Sequence, residues 1–176
     1  CGIAGPSSVR AAPEETRLTI AVGGQGVFYY LPLAVAQHQG YFRAAGLDVE
    51  IADFPGGAKS LQAVMGGSAA FAAGAFEHVL NMQAKGQALQ AVVLMARYPG
   101  MVLALPAGQG GAYRGPADLK GRKIGVTAPG SSTHLFLNHL LGQAGLGASD
   151  VAVIGVGAGA SAIAAMRRGE IDALVH

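Results

Sequence analysis

Ser131, Ser132 and Thr133 stand in a row after Pro129-Gly130 and open a stretch of helical periodicity. Hydroxyls and unbonded first-turn amides donate hydrogen bonds, and the helix dipole favours negative charge at that end, so the segment is a candidate clamp for an oxyanion. Ordinary N-capping by serine or threonine accounts for the same residues. A second segment, Phe54 to Ser60 (FPGGAKS), repeats the arrangement. There Gly57 permits close backbone approach and Ser60 caps or donates, while Lys59 is either a charge for the ligand or a solvated lysine on a first turn.

Two further turns share this logic. Gly24 opens a glycine-rich loop (GGQGVFYY) from which Tyr29 could wall a cleft, although one of the neighbouring aromatics must pack inward. Gly74 and Ala75 close a short strand, and Gly159 and Ser161 follow another. Gly155 to Ala160 (GVGAGA) also fits a G-x-G-x-x-A dinucleotide fingerprint. The acidic residue that should hold a ribose about 20 positions on is missing, since Asp172 precedes its strand instead of ending it.

Catalytic and metal chemistry find little support. His134 and His139 fall on different faces of one helix, and neither they nor His38 and His78 have acidic neighbours at ligand spacing. These histidines read as packing or surface residues. No nucleophile elbow is visible, no cofactor is implied, and the chain reads as a non-enzyme.

Alternating elements position these turns. Strands are expected at Leu18 to Val22, Asp48 to Asp53, Ser68 to Ala73, Leu89 to Met95, Met101 to Leu105, Lys123 to Thr127, Val151 to Val156 and Ile171 to Val175. Helices are expected from about residue 31 to 40, 58 to 65, 76 to 85, 132 to 144 and 161 to 168, the first presenting Leu31, Ala34, Val35 and His38 on one stripe. The alternation predicts α/β architecture with parallel sheets and ligands bound beyond the carboxyl ends of the strands. Residues 17–105 would form one lobe, 106–116 a Gly/Pro-rich crossover, and 117–176 a second, partial lobe.

Taken together, LPLAVAQHQGYFRAAGLDVE, FPGGAKSLQAVMGGSAAFA, ADLKGRKIGVTAPGSSTH and AIAAMRRGEIDAL resemble the periplasmic substrate-binding proteins of ABC importers. The resemblance is to the branch serving nitrate, sulfonates, taurine and thiamine-pyrimidine precursors, and it runs from about Leu18 to the last residue. It implies a periplasmic-binding-protein-like fold with two parallel-sheet lobes, a cleft between them and an incomplete second lobe. It also implies a small-molecule ligand, a permease and ATPase complex as partners, and an extracytoplasmic location. Enzymes share this superfamily: the cysteine-dependent ones are disfavoured because Cys1 is the sole cysteine, while a menaquinone-pathway-like enzyme remains an alternative beside the dinucleotide reading.

Composition agrees with a water-soluble folded chain. Apolar residues make up 51% and charged residues 12%, and Arg97, Pro99 and Gly100 interrupt the longest apolar stretch. A net charge of +2, with basic residues scattered, provides no face for nucleic acid. Cys1 precedes a small, polar, proline-bearing stretch to about residue 16, which suits a flexible tether behind a lipidated cysteine or the remnant of an ordinary signal peptide. No arginine falls in the predicted cleft loops, which points to a weakly charged or largely neutral ligand.

Overall fold

The computed structural model describes residues 14–98 and 100–176. The expectations for Cys1 and most of the tether lie outside them. Strand β1 (Arg17–Gly23) runs from exposed to fully buried, with Ala21 and Val22 inaccessible at its carboxyl end. It is the centre of a three-stranded parallel sheet, flanked by β2 (Asp48–Phe54) and β3 (Phe71–Ala73). Register places Val22 beside both Asp53 and Ala73, so three strand ends and their outgoing turns meet along one edge.

Helices α1 (Leu31–His38), α2 (Tyr41–Ala44), α3 (Gly57–Met65) and α4 (Glu77–Ala84) serve this sheet. Pro32 occupies the first turn of α1, where its missing N–H has no partner to lose. The stripe expected on α1 is out of phase: Leu33 is the buried residue, and Leu31 and Val35 are exposed. Its apolar face is narrow enough that one buried leucine, packed with Val22, Val27, Tyr30 and Ala73, holds the helix.

The second sheet has the order β4-β7-β5-β6, from β4 (Leu103–Ala104), β5 (Lys123–Val126), β6 (Ala152–Gly155) and β7 (Ala173–Val175). Between its strands lie α5 (Ser132–Gln143) and α6 (Ala160–Arg167). Leu119, Ile124, Val126, Leu137, Leu141, Ala173 and Val175 form its core. Each large side chain there contributes about 1.5–3 kcal/mol of burial. This is the two-lobed α/β architecture expected.

Two differences matter. Leu89 to Met95 forms no strand; it runs without regular structure, because no neighbouring chain supplies a hydrogen-bonding edge among the described residues. The Met101 to Leu105 strand shortens to β4 and pairs antiparallel with β7, so Leu103 and Ala104 belong to the second sheet and not the first. The reason is pairing: Val102 and His176 also exchange backbone bonds, which ties this segment to the far lobe.

Candidate functional site

Small residues let the turns at the two sheet edges crowd together. A Cβ on Gly23 would fall 2.7 Å from the Gly57 Cα, so α3 can start against the end of β1 only because that side chain is absent. Asp53 Oδ1 accepts from the Gly24 and Gln25 amides at 3.1 and 2.7 Å, which pins the glycine-rich loop to the end of β2. Gly24 has a φ of +95°, a conformation that glycine tolerates.

The starts of α3 and α5 meet across the lobes. The Ala58 amide, in the first turn of α3, donates to Ser131 Oγ at 3.0 Å. Gly56 faces the same group closely, since a Cβ there would lie 3.0 Å from both Ser131 Oγ and Thr127 Oγ1. Behind this junction Thr133 Oγ1 accepts from the Thr127 amide at 3.1 Å and shares a 2.9 Å hydroxyl contact with Thr127 Oγ1. A second approach links Gly24 to Ala158. At this second approach lies a cleft of about 300 Å³, lined by Gly24, Asp53, Phe54, Pro55, Gly157, Ala158 and Ser161.

The expected site residues therefore divide. Gly24 and Ser161 line the cleft, and Gly57 and Ser131 stand at its inter-lobe junction. Ser131 closes the lobes with its hydroxyl, so one of the amides counted toward a ligand is already bonded. Ser60 Oγ donates to Gly57 O and is fully buried, and Thr133 is buried in the threonine pair; both hydroxyls serve the protein itself. Lys59 is exposed and bonds Gln62, the solvated alternative. Gly159 donates its amide to His176 Nε2 at 3.2 Å, and Ser161 Oγ donates to Val156 O at 2.7 Å. Ser132 is half-buried in the first turn of α5.

Gly74 and Ala75 lead from β3 into α4, where Glu77 and His78 follow. Tyr29 packs edge-on against Tyr30, ring centroids 4.6 Å apart; burial raises both hydroxyl pKa values, and the Glu77 charge adds to the effect. From the sequence, Asp53, Glu77 and Thr127 have no assigned role here and His78 reads as a packing or surface residue; the structure buries His78 beside Glu77. Asp53 carried a signal, an acid ending a strand just before a Pro-Gly-Gly turn; Glu77 and His78 carried none.

Among the described residues no three or more His, Cys, Asp or Glu are grouped to hold a metal ion, and no helix is long and apolar enough to cross a membrane. The dinucleotide fingerprint does fall between β6 and α6, but β7 ends in Val175 without an acid.

A family model described as NMT1/THI5-like matches residues 27–176. The chain belongs to the NMT1/THI5-like family. A solved structure of a protein from Bordetella bronchiseptica RB50 is 56% identical, with a TM-score of 0.88, covering 92% of this chain and 51% of that one. The alkanesulfonate-binding protein SsuA from Xanthomonas axonopodis pv. citri, bound to MOPS, is 26% identical with a TM-score of 0.63, covering 93% and 55%. The periplasmic nitrate-binding protein NrtA from Synechocystis PCC 6803 shares the fold at 19% identity and a TM-score of 0.69, covering 94% and 47%. No curated protein sequence matches. The NMT1/THI5-like chain thus spans about half the length of the solved relatives it matches.

Proposed function

We propose that this chain is the solute-binding part of an ABC importer, capturing a small anion or polar metabolite by closure of two lobes. The carrying observation is the meeting of two helix starts from different lobes, with Ala58 N and Ser131 Oγ 3.0 Å apart beside a cleft of about 300 Å³. A bond that forms only when the lobes are together stabilises the shut form, and a ligand contacting both lobes shifts the same equilibrium. The shut form would dock on a permease and its ATPase in an extracytoplasmic compartment. No bond in the ligand is broken.

Magnitudes narrow the ligand. Helix starts contribute about 0.3–1 kcal/mol each toward an anion when exposed, against about 8 kcal/mol for micromolar retention. Side-chain contacts and burial must supply the remainder, so a bare inorganic ion fits less well than an organic sulfonate, a taurine-like compound or a thiamine-pyrimidine precursor. Thermal-shift measurement with alkanesulfonates, taurine, nitrate, a thiamine pyrimidine and NAD tests the reading. Stabilisation by one of the first four, without turnover, is expected; stabilisation by NAD alone, or chemical conversion of any compound, would overturn it.

A further inference from the structure

Glu77 Oε1 and His78 Nε2 are the two buried side-chain atoms among the described residues that have no hydrogen-bond partner. They stand 4.0 Å apart where β3 turns into α4, on the sheet edge that faces the cleft. His78 is 6% exposed and its ring is wedged between two glycines of that edge: a Cβ on Gly57 would lie 2.9 Å from Nε2, and one on Gly74 3.3 Å from Cδ2. Nε2 is thereby aimed at the first turn of α3. Leaving a buried acceptor without a donor costs about 1–3 kcal/mol, so an orphaned pair at the same strand ends as Asp53, though outside the cleft's own lining, marks a place that a partner fills.

Resting on the binding reading above, we propose that Glu77 and His78 form a subsite for an ammonium group on the ligand. A nitrogen about 2.8–2.9 Å from each atom spans their 4.0 Å separation at an angle of about 90°, donating one slightly bent N–H to the carboxylate and another to the imidazole. Burial holds His78 below its ordinary pKa, against the opposing pull of Glu77, and the neutral ring can accept. The surroundings agree in sign. Asp53 lines the cleft, no lysine or arginine does, and Lys59, on the first turn of α3, is turned to Gln62 at the surface. The ligand class that fits is a small zwitterion, its acidic group at the helix starts and its ammonium at Glu77 and His78.

Titration calorimetry with two matched pairs decides the matter: 3-aminopropanesulfonate against propanesulfonate, and β-alanine against propionate. The aminated member of at least one pair is expected to bind tenfold or more tightly than its partner. Glu77→Gln should abolish that preference, and His78→Asn, checked for folding by circular dichroism, should weaken it in the same direction. Equal binding within both pairs, or a preference that survives both substitutions, overturns the subsite and leaves the binding reading standing; the two atoms then hold only an internal water. If none of the four compounds binds while another ligand without an amine does, the subsite alone falls. If nothing binds, both readings fall together.

Discussion

Ser131 Oγ accepts a hydrogen bond from the backbone of Ala58, 73 residues earlier in the chain and on the other lobe. Replacing Ser131 by alanine leaves a first-turn amide of α3 without that acceptor. A neutral bond of this kind contributes about 1 kcal/mol net, so Ser131→Ala should lower the free energy of unfolding by about that amount. Ser132→Ala, one residue on at a half-buried position, should change it by less than about 0.5 kcal/mol. Urea denaturation of the two variants checks this; equal losses would show that the Ala58–Ser131 bond adds nothing to stability.

Acidification should loosen the fold in two separate windows. Burial lowers the pKa of His78 and His176 below the ordinary 6.5. A group whose folded pKa is depressed contributes full stability above its unfolded value and loses it as pH falls through the folded one. Stability should therefore decline from about pH 6.5 downward, and protonated His176 can no longer accept the Gly159 amide. Asp118, Asp150 and Glu170 are also held below their ordinary values, the first two mainly by backbone amides and Glu170 by Arg168, so their loss falls below about pH 4. Denaturation midpoints measured from pH 8 to 3 should show both steps, and His176→Gln should flatten the upper one.

Close packing at the strand ends predicts a sharp contrast between Gly23, the last residue of β1, and Gly26 in the turn after it. A Cβ on Gly23 would overlap the backbone of Gly56 and Gly57, which cannot swing aside as a side chain can, whereas a Cβ on Gly26 meets nothing within 4 Å. Gly23→Ala should cost about 1–3 kcal/mol or prevent folding, and Gly26→Ala should lie within about 0.5 kcal/mol of the parent. Comparable melting temperatures for the two would contradict the described junction of β1 with α3.

Where local pattern and tertiary pairing agree, the elements were legible: β1, β2 and α5 follow directly from apolar runs bounded by glycine, and Ser131 was marked by its place after Pro129-Gly130. Leu89 to Met95 reads as a strand because its residues favour extended backbone, yet a strand needs an edge to pair with, and pairing is not a property of the segment. Leu103 joins the far sheet for the same reason: its partner, Val175, is decided by topology. Of the residues lining the cleft, Gly24 and Ser161 were legible because they sit in turns at the ends of strands. Glu77 and His78 were not, since a histidine on a helix acquires meaning only from what its ring nitrogen fails to touch.

That unpaired segment supports a last expectation. Val92, Val93 and Leu94 are 68%, 76% and 76% exposed, three consecutive apolar side chains on backbone that makes no ladder bonds. Apolar and uncharged, such a run is suited to contact with a second copy, and burying it would remove surface worth about 25 cal/mol per Å². The 176-residue chain should therefore associate as its concentration rises, seen as increasing mass by light scattering after size exclusion. Val93→Lys with Leu94→Lys should return it to monomer without lowering the thermal midpoint, because neither side chain is part of a core. A parent chain that stays monomeric through the millimolar range would show that the exposed run is kept apart by its own conformation.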